Sequence, residues 1–192
     1  MQQINDLLSY GFLDLAINSI VYFVVALPFF LIFWKFYQSK FQKRRIQEIK
    51  RSTPNLIRFE IKNSIITLLI FTLIDVLIYV AKLNGLTQLY DKVDEYGWEY
   101  LLFSIVILLL FHDTWFYFTH RLMHHPKLFK HIHKVHHVST DPSPFASLSF
   151  HPLEALLEAG VYGVVAFLFP VHLLALFAWQ IFQIVMNEFV RR

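Results

Sequence analysis

The chain contains no cysteine, and only 16% of its 192 residues are charged. The lack of cysteine excludes disulfide bonds, thiolate metal sites and a cysteine nucleophile. The scarcity of charge is matched by an apolar fraction of 56%, which includes 21 phenylalanines. A soluble domain of this length is rarely so apolar. Composition therefore favours an integral membrane protein over a soluble one.

The apolar runs of the first half predict membrane-crossing helices. The runs 12–34 and 61–81 are each long enough to cross the roughly 30 Å hydrocarbon core of a bilayer as a helix. The first run is interpreted as a retained span, because it has neither the basic segment nor the small-residue cleavage site of a signal peptide. The run 98–111 is too short to cross alone. We expect it to continue as one helix through the histidines that begin at His112.

The last two apolar runs, 152–169 and 171–190, are separated by Pro170 and predict a tight helical hairpin. Together the runs predict an all-α polytopic membrane protein with about four transmembrane helices. The chain is accordingly divided into an N-terminal two-span region, 1–97, and a region that contains all the histidines, 98–192.

The distribution of basic residues predicts the orientation of these helices. Seven Lys or Arg residues lie in the segment 35–51, and cytoplasmic loops carry such an excess. Counting crossings from that loop places the N-terminus outside and the histidine-rich segment on the cytosolic face. Four more basic residues lie in the histidine-rich segment: Arg121, Lys127, Lys130 and Lys134. Nucleic-acid binding is not expected, because basic segments beside membrane spans usually meet anionic lipid.

Eight of the ten histidines lie within residues 112–137. On a helix, His120 and His124 are i, i+4 neighbours on one face, where two imidazoles can hold one metal. Asp113 and Tyr117 fall on the same stripe. We expect Asp113 to accept the ring N–H that is not used for the metal, and so to orient a histidine.

A second cluster, His133, His136 and His137, repeats this logic with spacings of i+3 and i+4 on a second helix. Imidazole suits iron, zinc, copper and nickel alike. Two facing helices would present five or more imidazoles, which exceeds the need of one tetrahedral ion. The two clusters therefore predict two metal ions.

The remaining histidines have open roles at this point. His125 is as plausible a ligand as a bystander, while His112 and His151 are ligands, supporting donors or helix-end residues. His131 falls outside the repeated spacing and is expected on the surface. His172 is expected to be satisfied by neighbouring groups rather than to bind metal.

The run His112-Asp-Thr-Trp-Phe-Tyr-Phe-Thr-His-Arg-Leu-Met-His-His125, the run His133-Lys-Val-His-His137 and the segment Phe150-His-Pro-Leu-Glu154 resemble the fatty acid hydroxylase / sterol desaturase superfamily. The resemblance covers most of the chain from the third span onward. It implies two iron ions, dioxygen as co-substrate, and hydroxylation or desaturation of a fatty acyl or sterol-like lipid at the cytosolic face. It also implies electrons from an external carrier of the cytochrome b5 or ferredoxin type.

Carried over by position, the resemblance makes five histidines ligands: His120, His124, His133, His136 and His137. It makes Asp113 a supporting residue and His151 a ligand or the partner of one. The family pattern continues with another HxxHH cluster, whereas this sequence ends at Arg192. We expect a truncated member of the family, because everything upstream keeps the pattern. A split protein and a degenerate, non-catalytic relative are the alternatives.

Two other classes of function are compatible with part of the pattern. A metal-binding or transport protein without redox chemistry needs ionisable residues inside the spans, where Asp14 and Asp75 lie. An acid at the depth of Asp75 is expected to face the protein interior. A haem protein needs isolated histidines in the middle of the membrane, whereas these cluster at the end of a helix.

Overall fold

The structure, a computed structural model, describes residues 2–37, 40 and 53–190. The described residues form six α-helices: α1 (Gln2–Phe29), α2 (Pro54–Leu83), α3 (Gly97–Met123), α4 (Pro126–Ile132), α5 (Pro152–Leu168) and α6 (Leu173–Val190). A π-helical segment, Phe30–Phe36, extends α1. Within the described part of the chain, β pairing is limited to one isolated bridge between Tyr90 and His172. The predicted all-α class is confirmed.

Three helical segments are long and apolar enough to cross a membrane: Gln2–Phe36, Pro54–Leu83 and Gly97–Met123. The third runs unbroken through the first histidines, as predicted. The predicted hairpin is also present, with α5 and α6 separated at Pro170. These two helices have 17 and 18 residues and are shorter than α1, α2 and α3, so the fourth crossing stays a prediction. Most of the basic segment 35–51 lies outside the described residues.

The core of the bundle forms where α5 packs on α2, with α1 and α6 closing the sides. Three alanines of α5, Ala155, Ala159 and Ala166, are fully buried. Small side chains let helix backbones approach closely, which stabilises helix pairs in lipid. Gly11 serves the same purpose between α1 and α2, since a Cβ there would lie 3.1 Å from Val76 Cγ2.

Polar side chains inside the spans pair across helix interfaces. Thr72 Oγ1 and Asn18 Nδ2 donate to Asp14 Oδ2 over 2.7 and 3.1 Å. Gln180 Nε2 donates to Asp75 Oδ2 over 3.0 Å, and Asp75 is only 8% exposed. The prediction that Asp75 faces the interior is confirmed. Each acid thus joins two helices, as expected for a polar group that cannot reach water.

The loop between α4 and α5 is held by the first two helices. The carbonyl oxygen of Phe145 accepts hydrogen bonds from Tyr22 Oη (2.7 Å) and Ser64 Oγ (2.9 Å). The carboxylate of Glu60 is fully buried and accepts hydrogen bonds from the backbone N–H and the hydroxyl of Ser143. These bonds fix the start of the segment that leads into α5.

His172 caps the start of α6 at the far end of the hairpin. Its Nδ1 accepts from the backbone N–H of Leu174 over 3.0 Å, and its Nε2 donates to the carbonyl oxygen of Asp91 over 2.8 Å. The expectation that His172 is satisfied by neighbouring groups is therefore confirmed.

The anchor of the α4–α5 loop predicts a measurable coupling. Replacing Glu60 by Ala leaves the Ser143 donors buried without an acceptor, and such a loss costs about 1–3 kcal/mol or more when a charged group is involved. We expect Glu60→Ala to lower the free energy of unfolding in detergent by at least that amount, measured from thermal loss of the helical circular dichroism signal. In a cycle with Ser143→Ala, the double variant should be less destabilised than the sum of the single ones. Strict additivity would contradict the anchor.

Candidate metal centre

Helix α3 delivers the first two histidines to one point at its end. His120 lies in its last turn and His124 is its C-terminal cap, so the two rings are one turn apart on the same side. Their Nε2 atoms are 3.1 Å from each other. Two nitrogens that each lie ~2.0–2.1 Å from a shared ion are about 3.0–3.4 Å apart. The pair therefore has the spacing of two ligands of one metal.

Helix α4 turns the chain back so that His133 joins this pair. His125 caps α4 through its Nδ1, which accepts from the backbone N–H of Lys127 over 3.4 Å, and Pro126 follows at the first helical position. The ring of His133 then lies 4.6 Å from that of His120 and 4.8 Å from that of His124. The ligand atoms of these three histidines all lie within 4.8 Å of one another.

His136 and His137 adjoin the same cluster from a tighter turn. The sequence predicted a helix through His133, whereas α4 ends at Ile132 and residues His136–Val138 form a 3₁₀ helix. Helix α4 ends where the backbone N–H groups of His133 and Lys134 both bond to the carbonyl oxygen of Phe129. The chain then tightens because the backbone N–H of His137 bonds to the carbonyl oxygen of Lys134, only three residues back. Both rings still contact His133, with centroids at 5.0 and 4.7 Å. The predicted convergence is present, but a continuous helix does not produce it.

Glu154, to which the sequence assigned no role, holds the buried side of the cluster. It lies in the first turn of α5 and is 2% exposed. Its Oε1 accepts a hydrogen bond from His133 Nδ1 over 2.8 Å and lies 3.6 Å from His136 Nδ1. Because a carboxylate oxygen only accepts, Nδ1 of His133 carries the proton and Nε2 carries the lone pair. This is the tautomer that binds a metal through Nε2.

Asp113, which the stripe on α3 predicted as the acid that orients a histidine, does not hold a histidine in the structure. Asp113 is exposed, and its carboxylate makes no hydrogen bond to another described residue. The carboxylate beside the histidines is that of Glu154. One sequence feature marks Glu154: it is an acidic residue at the start of a strongly apolar helix, two residues after Pro152.

The other candidate histidines lie around the cluster rather than in it. His112 is two turns before His120, and its ring packs edge-on against Trp179 at 5.6 Å. His151 caps α5 through Nδ1, which accepts from the backbone N–H of Leu153 over 3.2 Å. His131 is exposed on α4, as expected. Nδ1 of His125 and Nδ1 of His151 are used to cap α4 and α5, so only Nε2 of each ring is available to bind a metal.

The residues present fit a transition-metal ion. The donors are imidazoles on three consecutive segments, one pair has ligand spacing, and a buried carboxylate orients the ring of His133. Such supporting carboxylates are typical of histidine metal sites. All-nitrogen donor sets suit iron, zinc, copper and nickel.

Comparison with known proteins shows the family to which the chain belongs. A family model described as "Fatty acid hydroxylase" matches residues 105–191. A Delta(7)-sterol 5(6)-desaturase of Aspergillus fumigatus is 34% identical over 153 residues, which cover 80% of this chain and 45% of that protein. The chain belongs to the fatty acid hydroxylase / sterol desaturase superfamily. The whole histidine cluster lies within the residues that the family model matches.

Other members of the superfamily show the same pattern of coverage. A Delta(7)-sterol 5(6)-desaturase of Gibberella zeae is 35% identical over 127 residues, which cover 66% of this chain and 39% of that protein. Lathosterol oxidase of Rattus norvegicus is 40% identical over 97 residues, which cover 50% of this chain and 32% of that protein. The chain spans less than half the length of these curated relatives. No solved structure matches the chain.

The hydrogen bond between Glu154 and His133 predicts an effect on metal affinity. In Glu154→Leu the ring of His133 loses its acceptor, and loss of such a partner typically costs 10–100-fold in metal affinity. We expect that loss for Co²⁺, measured by optical titration of the purified protein in detergent. Glu99→Leu removes an exposed carboxylate at the opposite end of α3 and should leave the affinity unchanged. Equal affinity in the two variants would show that Glu154 does not support the site.

Proposed function

We propose that this protein takes part in the iron- and oxygen-dependent oxidation of a C–H bond in a membrane lipid of the sterol class. One observation carries the proposal: three histidines and an orienting carboxylate converge at the end of a helix of membrane length. The relatives support the substrate class, since those described above are two sterol desaturases and a lathosterol oxidase.

Iron, when bound, supplies the redox chemistry by which dioxygen attacks an unactivated C–H bond. The chain's own residues hold and orient the metal, with His120, His124 and His133 as the ligand group and Glu154 behind it. Two aromatic rings stack on the cluster: Phe116 stacks on His120 at 5.2 Å, and the buried Phe150 stacks on His136 at 5.6 Å. Such apolar walls exclude water from the site and lower its local dielectric constant.

The proposal includes two iron ions for each chain. The five histidines of the two clusters provide more nitrogens than one ion needs, and the Nε2 atoms of His125 and His151 can add to them. Iron bound by the protein after anaerobic reconstitution with Fe²⁺ should amount to two equivalents, measured by plasma mass spectrometry. His120→Ala should reduce the amount to one or none. A wild-type value of one would contradict the second ion.

We also propose that the site faces the cytosol and receives electrons from a carrier of the cytochrome b5 or ferredoxin type. Four basic side chains near the cluster are exposed: Arg121, Lys127, Lys130 and Lys134. A positive surface beside a redox site favours the approach of an acidic carrier. The same charges fit the cytosolic side of the membrane by the positive-inside rule.

The proposed reaction predicts a product in living cells. The chain is expressed in yeast whose own sterol 5(6)-desaturase is deleted, and sterols are analysed by gas chromatography and mass spectrometry. We expect a sterol with an added double bond or hydroxyl group, which is absent from cells with His133→Ala. Production of that variant at the wild-type level, checked by immunoblotting, is the control.

The alternative, a metal-binding or transport protein without redox chemistry, predicts a different outcome. Bound metal without any oxidised sterol, in cells that supply oxygen and a reductase, would favour it. In the structure, the two intramembrane acids that transport would use, Asp14 and Asp75, are hydrogen-bonded to neighbouring helices. That pairing gives them a role in packing.

A further inference from the structure

A small cavity, lined by both apolar and polar side chains, lies between α2, α3, α5 and α6. Its volume is about 30 Å³, and one water molecule needs roughly 10–15 Å³. The cavity therefore accommodates about two groups of the size of a water molecule. Its polar wall includes His112, Glu158, Gln183 and Asn187.

Two polar atoms in this wall have no hydrogen-bond partner among the described residues. They are Oε1 of Glu158, whose side chain is 93% buried at 7% exposure, and Nδ1 of His112. A buried polar atom without a partner typically costs about 1–3 kcal/mol. Two such atoms from different helices in one cavity indicate that a polar group from outside the protein fills it.

The cavity adjoins the metal centre through two aromatic rings. Phe116 and Phe150 line the cavity, and the same rings stack on His120 and His136. The cavity and the histidine cluster therefore share these two aromatic side chains. Phe116 is 40% exposed on the outer side of α3, so the cavity also adjoins the surface that lipid covers.

We propose that this cavity binds the hydroxyl group of an alcohol lipid, which positions the lipid beside the metal centre. The inference rests on the proposed function and adds the feature by which the substrate is recognised. A hydroxyl both donates and accepts, so it can donate to Glu158 Oε1 while it accepts from a protonated Nδ1 of His112.

The shape of the cavity agrees with this ligand. Its volume fits a hydroxyl group but not a sterol ring or an acyl chain, which must extend along the apolar surface near Phe116. The apolar part of the lipid then lies in the bilayer, and its first carbons lie nearest the histidines. Recognition of one end of the molecule would fix which carbons approach the metal.

The test is binding of lathosterol and of its methyl ether to the purified protein in lipid nanodiscs without added metal. The ether keeps the sterol skeleton but has no proton to donate. We expect the wild-type protein to bind lathosterol about tenfold more tightly, the effect of about one buried hydrogen bond. Glu158→Met and Gln183→Met should each reduce this preference to less than twofold.

A matched control is Gln180→Met, one turn before Gln183 on α6, because Gln180 donates to Asp75 and does not line the cavity. It should keep the tenfold preference. Equal binding of the two sterols by the wild-type protein would overturn the proposal and indicate that the cavity holds water only. A preference that survives in both cavity variants would overturn it as well.

This binding assay separates the inference from the proposed function. It requires neither metal nor turnover, so a hydroxyl preference without oxidised sterol in cells would refute the oxidation and keep the binding site. Oxidised sterol in cells without a hydroxyl preference in the binding assay would refute the binding site and keep the proposed oxidation. Retained helical circular dichroism in each variant shows that a lost preference is not a loss of folding.

Discussion

The buried hydrogen bond between His133 and Glu154 joins the parts of the molecule that make the metal centre. His133 belongs to the turn after α4, whereas Glu154 begins α5, and both side chains are almost completely removed from solvent. An imidazole and a carboxylate cannot be buried cheaply unless each satisfies the other. The bond therefore fixes α5 against the histidine turn, and it sets the tautomer of the most buried histidine of the cluster. The position of α5 in turn depends on its alanine face against α2.

The first two helices carry no histidine, yet they determine the shape of the site. Tyr22 and Ser64 hold the carbonyl of Phe145, and Glu60 holds Ser143. Five residues after Phe145, Phe150 stacks on His136. The family model begins at residue 105, whereas the similarity to the Aspergillus relative covers 80% of the chain. That wider similarity is understandable if the helices before residue 105 fix the loop that shapes the site.

Periodicity along the chain was sufficient to predict most of the fold. The three long helices and the hairpin follow from apolar runs, and the pairing of His120 with His124 follows from the helical repeat. The partner of His133 could not be predicted in this way, because Glu154 lies 21 residues away and meets it only through the packing of α5. The stripe on α3 pointed to Asp113 instead, since a helical repeat identifies neighbours on one helix and says nothing about those on another. The turn through His136 was likewise assigned to a helix, because a 3₁₀ turn brings residues three apart together almost as well.

The ionisable groups within the bundle differ in a way that separates packing from function. Asp14 and Asp75 each accept hydrogen bonds from side chains of a neighbouring helix, so their burial is compensated inside the protein. Glu158 is as deeply buried, yet its Oε1 has no partner among the described residues, and it faces a cavity with His112. The protein supplies hydrogen-bond donors to Asp14 and Asp75 but none to Oε1 of Glu158. Local departures of this kind are expected at functional sites, so we infer that a bound group supplies the missing donor. Because Phe116 and Phe150 line the cavity and also stack on the histidine cluster, the group that completes Glu158 also lies beside the candidate metal centre.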